Sequence, residues 1–428
     1  MALLTGVGFG LAPALATVKP ALSDFLKDSS RTATTGLGQH RLRNLLVVAE
    51  VGLSVVLLLG AGLLLKSFLR LRGVDPGFRP DRILTFTIDL SRPKYPEPAS
   101  QAAFFEQVIE RLRPLPGVEA VGVDGMLPFA GTTMCSNLAI ESQPVAGDQW
   151  SRPVLVAVVN ADYFKALGIP LLRGRVLSDS DRAGAPAVAV VNDQFVRQYF
   201  RADEPLGQRI RTFGPQWRTI AGVVGNVRTG GLNSQLEPIV YLSYLETGCG
   251  AMSVALRTTG NPMQLGAAVR ARVQSVDPEQ PVYSLLTMEQ RLSGSLAPRR
   301  LNLLLIASFS GLALALAAVG IYGVISYLVT ERTHEIGIRL VLGASTRTVL
   351  LMVFRRGLLL VGIGLGTGFL ASLGLRRVIA SELYGITPTD PVTVVLVSLV
   401  LISVAVAACW IPARRATTVD PAVALRHE

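Results

Sequence analysis

Four apolar runs, and the unequal spacing between them, constrain this chain more than any other feature. They are Leu45 to Leu65, Leu301 to Val329, Gly357 to Leu375 and Val392 to Ile411. Each approaches or exceeds the ~20 residues an α-helix needs to cross the hydrocarbon core of a bilayer. In hydrocarbon the backbone N–H and C=O groups have to be satisfied inside the segment, so each run is expected to be a helix. Residues 67–297 hold no such run and are expected to lie wholly on one side of the membrane. The expected fold class is therefore a membrane protein with four transmembrane α-helices, one plus three, and a large α+β extracytoplasmic domain between the first and second. Composition agrees: half of the 428 residues are hydrophobic and only 17% are charged, more apolar than is usual for a soluble domain. The formal net charge of +11 does not point to nucleic acid. The arginines flank apolar runs or are scattered, and no Lys/Arg tract is interleaved with aromatics, so contact with the membrane surface is the simpler account.

Between the first two runs the pattern changes. Ile83–Ile88, Val118–Val123, Val154–Val159, Ala187–Val191, Thr219–Val224 and Met252–Leu256 are short apolar or alternating stretches bounded by Gly, Pro and Asp, and read as strands. Ala99–Leu112, with Phe104, Val108 and Leu112 one turn apart, reads as a helix, as do Asp193–Phe200 and Met263–Val276. Cys135 and Cys249 both fall in this region; a disulfide between them and a pair of free thiols are equally open. Residues 29–43 are polar and read as a linker. The apolar run before them is too short to span, and Ala14-Leu15-Ala16 imitates a signal-peptide cleavage site without a basic n-region. Pro13-Ala14 and Pro20-Ala21-Leu22 near the start echo Pro412-Ala413 and Pro421-Ala422-Val423 near the end. The start, residues 1–43, thus also reads as the tail of a preceding module.

Catalytic signatures do not emerge. The chain has no G-x-x-x-x-G-K-[ST], H-E-x-x-H, G-x-S-x-G or C-x-x-C, and its three histidines, His40, His334 and His427, lie far apart. No catalytic or metal-ligating residue is assigned. Asp179 and Asp181 pair in a polar, turn-like stretch and read as solvated. Glu50 is the one charge in the first run; a place near the headgroups or against a neighbouring helix is weighed above a functional role. Gly362, Gly364, Gly366 and Gly368 form two overlapping G-x-x-x-G pairs, the spacing that lets helix backbones approach closely. Arg355 and Arg356 precede that run and read as snorkelling side chains or interface markers. The positive-inside count does not settle orientation. Arg332, Arg339, Arg347, Arg414 and Arg415 lie on one side; Lys66, Arg70, Arg72, Arg299, Arg300, Arg376 and Arg377 lie on the other.

The segment Glu331-Arg332-Thr333-His334-Glu335-Ile336-Gly337-Ile338-Arg339, with Leu342-Gly343-Ala344, resembles the cytoplasmic segment of MacB-type, FtsX-like permease subunits of ABC transporters. Pro412-Ala413-Arg414-Arg415-Ala416 and Asp420–Arg426 resemble that family's C-terminal end. Asn160-Ala161-Asp162-Tyr163-Phe164, Leu172-Arg173-Gly174-Arg175, Val190-Val191-Asn192 and Pro205-Leu206-Gly207 resemble its extracytoplasmic domain. The resemblance covers roughly residues 40–428. It implies a first span at 44–66 and an extracytoplasmic domain at 67–297, built from one subdomain of 80–140 plus 250–297 and an inserted one of about 149–245. An FtsX-like permease domain at 298–428 would follow, with a cytoplasmic coupling segment at 331–345. Glu331, Arg332, Glu335, Ile336, Gly337, Arg339, Gly343 and Ala344 would contact a separate cytoplasmic P-loop ATPase. ATP and magnesium would be bound by that partner, and no cofactor by this chain. The family also implies the bacterial inner membrane, a homodimer or pairing with a sister permease module, and a periplasmic adaptor as a further partner. The leading functional expectation is a permease subunit coupling ATP hydrolysis to export or extraction. A transmembrane regulator of a cell-envelope enzyme and a sensor without a motor are the alternatives.

Overall fold

A computed structural model describes residues 35–131, 134–143, 152–200, 204–331, 338, 345–374 and 390–417. The four apolar runs fold as helices longer than the runs themselves: α1 (Thr35–Arg72), α8 (Ala297–Glu331), α9 (Thr346–Gly374) and α10 (Pro391–Thr417). Each contains a stretch long and apolar enough to cross a membrane. One expectation is corrected at the ends: Thr35–Arg43, read as linker, is the first part of α1. Arg355 and Arg356, which precede the third apolar run, lie inside α9 with exposed side chains. Pro412 also lies within its helix, α10. Long Arg side chains reach polar surroundings from within a helix, so a basic residue does not mark where a membrane helix stops.

The chain divides into two compact units, one of residues 1–67 with 303–428 and one of 68–302. In the first, Val51 of α1, Ile321 and Ile325 of α8, Leu360 and Val361 of α9, and Ala405 and Cys409 of α10 share one buried cluster. All four described long helices therefore contribute to a common core. A smaller cluster of Val55, Leu59, Val397 and Leu401 joins α1 to α10.

The second unit carries β1 (Ile83–Asp89), α2 (Pro98–Leu112), β2 (Val118–Asp124), β3 (Cys135–Asn137), β4 (Ala139–Ile140), β5 (Pro153–Val159), α3 (Tyr163–Leu167), β6 (Leu171–Gly174) and β7 (Val188–Asn192). These are followed by α4 (Asp193–Tyr199), β8 (Arg209–Arg211), β9 (Arg218–Val224), β10 (Ile239–Ser243), α5 (Tyr244–Thr247), β11 (Ala251–Thr258), α6 (Gly266–Gln274), β12 (Tyr283–Thr287) and α7 (Met288–Ser295). The order β12-β1-β11-β2 is wholly antiparallel. Its Leu84, Phe86, Ile88, Val254 and Leu256 pack on Phe105 and Val108 of α2 and Val269 and Val273 of α6. Strand alternation places the intervening residues on the opposite face, where Ile83 and Ala255 meet Tyr163, Phe164 and Leu167 around α3. The second set, β5-β10-β7-β9-β8-β4, is mixed, with parallel β5–β10 and β7–β9 pairs.

Two features of the strand pairing bear on the subdomain limits of 80–140 plus 250–297 and about 149–245. β3 and β4 belong with the second set, pairing β5 and β8, so that set gathers residues from 135 onward rather than from about 149. The sets are also one continuous sheet, joined where Asp124 of β2 faces Val159 of β5. Edge pairing costs little once two strand ends lie side by side, and the unpaired N–H and C=O groups of β5 find partners there.

Candidate coupling site

The expected coupling segment begins where α8 ends, at the exposed Glu331. Arg332, Glu335, Ile336, Gly337, Arg339, Gly343 and Ala344 lie outside the described residues. Past them, Ser345 starts the next helix. Its carbonyl accepts from Thr348 N–H at 2.9 Å, and its hydroxyl meets that of Thr348 at 3.0 Å, an N-terminal arrangement Ser favours. The structure thus supplies the base on which the segment is mounted: the last turns of α8, the first turns of α9 and the end of α10. Leu328, Val329, Leu350, Val353, Phe354 and Ala413 pack there. Gly357 is its tightest point. A Cβ at Gly357 would lie 2.5 Å from Cys409 Sγ on α10 and 3.7 Å from Ile325 Cδ1 on α8. A side chain at this position would not fit between the three helix ends without one of them shifting.

The glycine-rich stretch of α9 divides into two faces. Gly364 and Gly368 are buried against α1, where added Cβ atoms would lie 2.6 Å from Val51 Cγ1 and 2.6 Å from the Gly52 carbonyl oxygen. Gly362 and Gly366 are exposed, with no atom within 4 Å of a Cβ built on them. Residues four apart share a helix face and residues two apart do not, so only one of the two overlapping pairs can face α1.

At the far end of the same unit, Lys66 Nζ of α1 donates to Asp390 Oδ1 at 2.6 Å. Asp390 caps α10, its Oδ2 accepting from the Thr393 N–H at 3.0 Å and the Thr393 hydroxyl at 2.7 Å. The Lys66 ammonium first, and the Thr393 donors after it, hold this carboxyl down at about 2. Gly62 lets the α1 backbone approach, since a Cβ there would come 2.7 Å from Thr393 Cγ2.

In the sheet domain two asparagines from the family-like motifs act as buried staples. Asn160 Oδ1 accepts from Val123 N–H at 2.9 Å and its Nδ2 donates to the Val121 carbonyl at 2.8 Å, lacing the chain after β5 to β2. Asn192 Oδ1 accepts from Phe195 N–H at 3.0 Å and Ile239 N–H at 2.9 Å, and its Nδ2 donates to the Glu237 carbonyl at 2.8 Å. It caps α4 and holds the start of β10 at once. An Asn160→Ala variant orphans two buried backbone groups at a cost of roughly 1–3 kcal/mol each. Hydrogen exchange on the detergent-solubilised chain is expected to show faster exchange at Val121–Asp124. Unchanged protection there would contradict the staple.

Gly174, in the Leu172–Arg175 motif, has φ +72° and is pressed against the Ala221 carbonyl oxygen, where a side chain would not fit. Asp181, expected to be solvated, is instead buried and bidentate to Arg175 at 2.7 and 2.8 Å. Burial alone would raise its carboxyl, but Arg175 and the Ser178 N–H and hydroxyl outweigh it and hold the pKa below the usual value. Cys135 and Cys249 are separate free thiols, the first exposed on β3 and the second donating to the Ala251 carbonyl at 3.2 Å. Burial pushes the Cys249 thiol up.

Sequence reasoning missed Asp124, which is fully buried at the β2–β5 junction. Its Oδ1 accepts from Met126 N–H at 2.7 Å. Burial pushes this carboxyl up to about 7, against the opposing pull of the Tyr163 hydroxyl and the Met126 N–H. A charge closing an apolar strand before Gly125 was the available signal. The Lys66–Asp390 pair, 324 residues apart, left none.

Comparison with known proteins covers both units. A family model described as the MacB-like periplasmic core domain matches residues 53–280, and one described as FtsX-like permease C-terminal matches residues 307–421. The chain is 24% identical over 421 residues to the uncharacterized ABC transporter permease YknZ of Bacillus subtilis (strain 168), covering 94% of this chain and all of that one. It is 26% identical over 279 residues to the pyoverdine export ATP-binding/permease protein PvdT of Pseudomonas syringae pv. tomato (strain ATCC BAA-871 / DC3000), covering 63% of this chain. It spans 42% of the length of that relative. The periplasmic region of MacB from Actinobacillus actinomycetemcomitans aligns with a TM-score of 0.34 at 13% identity, over 50% of this chain and 92% of that one.

Proposed function

Because the chain belongs to the family of ABC transporter permeases with a MacB-like periplasmic core and an FtsX-like C-terminal domain, a multi-pass inner-membrane protein with a large extracytoplasmic domain, we propose that it transmits ATP-driven motion of a separate cytoplasmic ATPase to that domain for export or extraction of substrate. The observation that carries this reading is the continuity of α1 and α8. They are single helices of 38 and 35 residues, about 57 and 52 Å long at 1.5 Å per residue. That exceeds the ~30 Å hydrocarbon core, so each is a rod that reaches beyond the membrane. α8 ends at the coupling segment and α1 is locked to α9 through Gly364 and Gly368. In this reading a push on residues 331–345 is carried along α8. The names of the relatives, an export ATP-binding/permease protein among them, support the export side of the reading.

The test is reconstitution of the full chain with its ATPase in nanodiscs. Glu335→Lys and Gly337→Pro are expected to reduce stimulated ATP turnover at least tenfold. Ala315→Pro, in the middle of α8, is expected to keep ATPase binding while abolishing nucleotide-dependent change in hydrogen exchange of residues 83–258, because proline breaks the helix ladder. Recovery of no P-loop ATPase with the chain from membranes, together with unaltered turnover in the first two variants, would overturn the coupling role. Unchanged substrate distribution in a deletion strain with altered cell-wall morphology would overturn export.

A further inference from the structure

The chain leaving α1 and the chain entering α8 are fastened to different strand sets. After α1, the Pro76 carbonyl accepts from Arg228 N–H at 3.0 Å. Gly77, at φ +84°, lies so close to the Asn226 carbonyl that no side chain would fit, and Phe78 is buried with Val224 and Val227. These partners belong to β9 and the residues just after it, in the mixed set. Before α8, Arg291 of α7 donates from Nε to Thr85 Oγ1 at 2.6 Å and from Nη2 to the Ser284 carbonyl at 2.8 Å. Thr85 in turn donates to the Leu286 carbonyl at 2.7 Å, so α7 is tied to β1 and β12 of the antiparallel set. Across the line between the sets, β2 and β5 share one registered pair, Asp124 and Val159. Gly125 N–H donates to the Val158 carbonyl beside it at 3.0 Å. The ion pairs Arg182–Glu106 and Arg113–Asp179 also cross from α2, at 3.5 and 3.9 Å, but join exposed side chains and add little.

Three buried titratable side chains meet at this line: Asp124 of β2, Tyr163 of α3 and Tyr241 of β10. The Tyr163 hydroxyl donates to the Asp124 carboxyl. The Tyr163 and Tyr241 rings lie 6.1 Å apart, and the Tyr241 hydroxyl is buried with no hydrogen-bond partner. Burial first, and the Asp124 charge after it, push the Tyr241 phenol up. Cys249, just before β11, is the other titratable group that feels this charge. The groups that favour the charged carboxyl are two neutral donors, Tyr163 and the Met126 N–H, and no cation is among them. A carboxylate enclosed in this way gains by meeting water, and water reaches it when the strands part. A neutral carboxyl makes no such demand. Solvated in a parted form, the group would titrate near ~3.9, against about 7 in the closed form. The closed form therefore keeps its full advantage below about pH 4 and loses it as pH rises toward 7, by up to ~10³ in the closed-to-open ratio.

We propose that Asp124, Tyr163 and Tyr241 form a proton-operated latch between the two strand sets. With the carboxyl neutral, β2 stays on β5 and the sheet ties the α1 and α8 attachments together; ionisation parts the sets, and the attachments move separately. The latch rests on the coupling reading for its use, but it is tested without ATP or an ATPase, so its failure leaves that reading standing. The full chain in phosphatidylcholine nanodiscs carries spin-labelled unnatural amino acids at two exposed positions, Glu110 of α2 and Gln198 of α4, and the distance between them is measured at pH 4.5 and pH 8. One distance is expected at pH 4.5, with a second, longer one at pH 8 and at least a tenfold fall in the closed-to-open ratio. Asp124→Asn keeps an acceptor for the Met126 N–H and is expected to give the single distance at both pH values. Tyr163→Phe removes a donor that favours the charged carboxyl inside the closed form, and is expected to enlarge the longer population at pH 8 and leave pH 4.5 unchanged. The same distances at both pH values in the parent, the parental pH response in Asp124→Asn, or an equal effect of Tyr163→Phe at both pH values would overturn the latch.

Discussion

Replacing Gly368 with alanine is expected to part α1 from α9, and replacing Gly366 two residues away is expected to do almost nothing. The two glycines lie in the same helix at the same depth and differ only in facing. A Cβ at Gly368 would lie 2.6 Å from the Gly52 carbonyl oxygen, 2.6 Å from Val55 Cβ and 3.0 Å from Gly52 Cα. Two of those atoms are backbone and cannot rotate away, so the helices themselves have to separate. Overpacking of this kind costs about 1–3 kcal/mol, and leucine at the same place costs more. Separation also releases the contact of Gly364 with Val51, one turn along, so the damage spreads along the seam. Gly366→Ala meets no atom within 4 Å. Thermal unfolding of the detergent-solubilised chain is the direct measurement, with a clear drop for Gly364→Ala and Gly368→Ala and a near-parental value for Gly362→Ala and Gly366→Ala. If α1 and α9 move as one body in coupling, the first pair also loses stimulated ATP turnover with an intact coupling segment. Equal effects in all four variants would contradict the assignment of the packed face.

The second large effect is a pH dependence centred on Asp124. Its carboxyl sits at about 7 in the folded protein, against about 3.9 in an unfolded chain. Between those values the folded state holds a proton that the unfolded state has released. The contribution of Asp124 to stability is therefore fully present below about pH 4 and is lost as pH rises toward 7, by up to about 4 kcal/mol at 1.36 kcal/mol per unit. The Tyr163 hydroxyl and the Met126 N–H pull the other way without outweighing burial, and Tyr163 and Tyr241 are themselves neutral phenols whose own ionisation burial pushes far up. The Cys249 thiol, raised mainly by burial, is also pushed up by this carboxylate. Asp124→Asn keeps an oxygen for the Met126 N–H and removes the ionisation. The variant is expected to match the parent at pH 4.5 and to exceed it at pH 8, with slower exchange at Val121–Asp124 and Val158–Val159. Parallel pH profiles for the two proteins would show that Asp124 stays neutral throughout or is already solvated. Because Asp124 lies where the antiparallel set meets the mixed set, its charge weakens the one ladder contact joining β2 to β5.

Much of the architecture is legible in local pattern. Hydrophobicity over some 20 residues is enough to place a helix in a bilayer, and the four runs and the soluble stretch between the first two follow from that alone. Alternation identified β1, β2, β5, β7, β9 and β11 within a residue or two at each end, because each has an apolar core-facing row. β4, β6, β8 and β12 carry fewer buried residues, and β3 and β4 are only three and two residues long, so no periodicity could announce them. The four glycines of α9 were legible as a group. Which pair packs was not, since α9 is apolar on every side and its sequence has no polar face to give it a direction.

The sequence by itself determined that this chain crosses a membrane with one helix, builds an α+β domain on one side and returns with three more helices, because hydropathy and side-chain period are properties of neighbouring residues. Its motifs also carried the family, and with it the orientation that arginine counting left undecided. Only the tertiary structure decided that Gly364 and Gly368 form the seam with α1, that Lys66 closes on Asp390, that Asn160 and Asp124 lie where the two strand sets meet, and that Glu50 lies against Gly320 of α8. Each of these depends on which groups from distant parts of the chain exclude water from one another. That is a property of the packed fold, and no local pattern contains it.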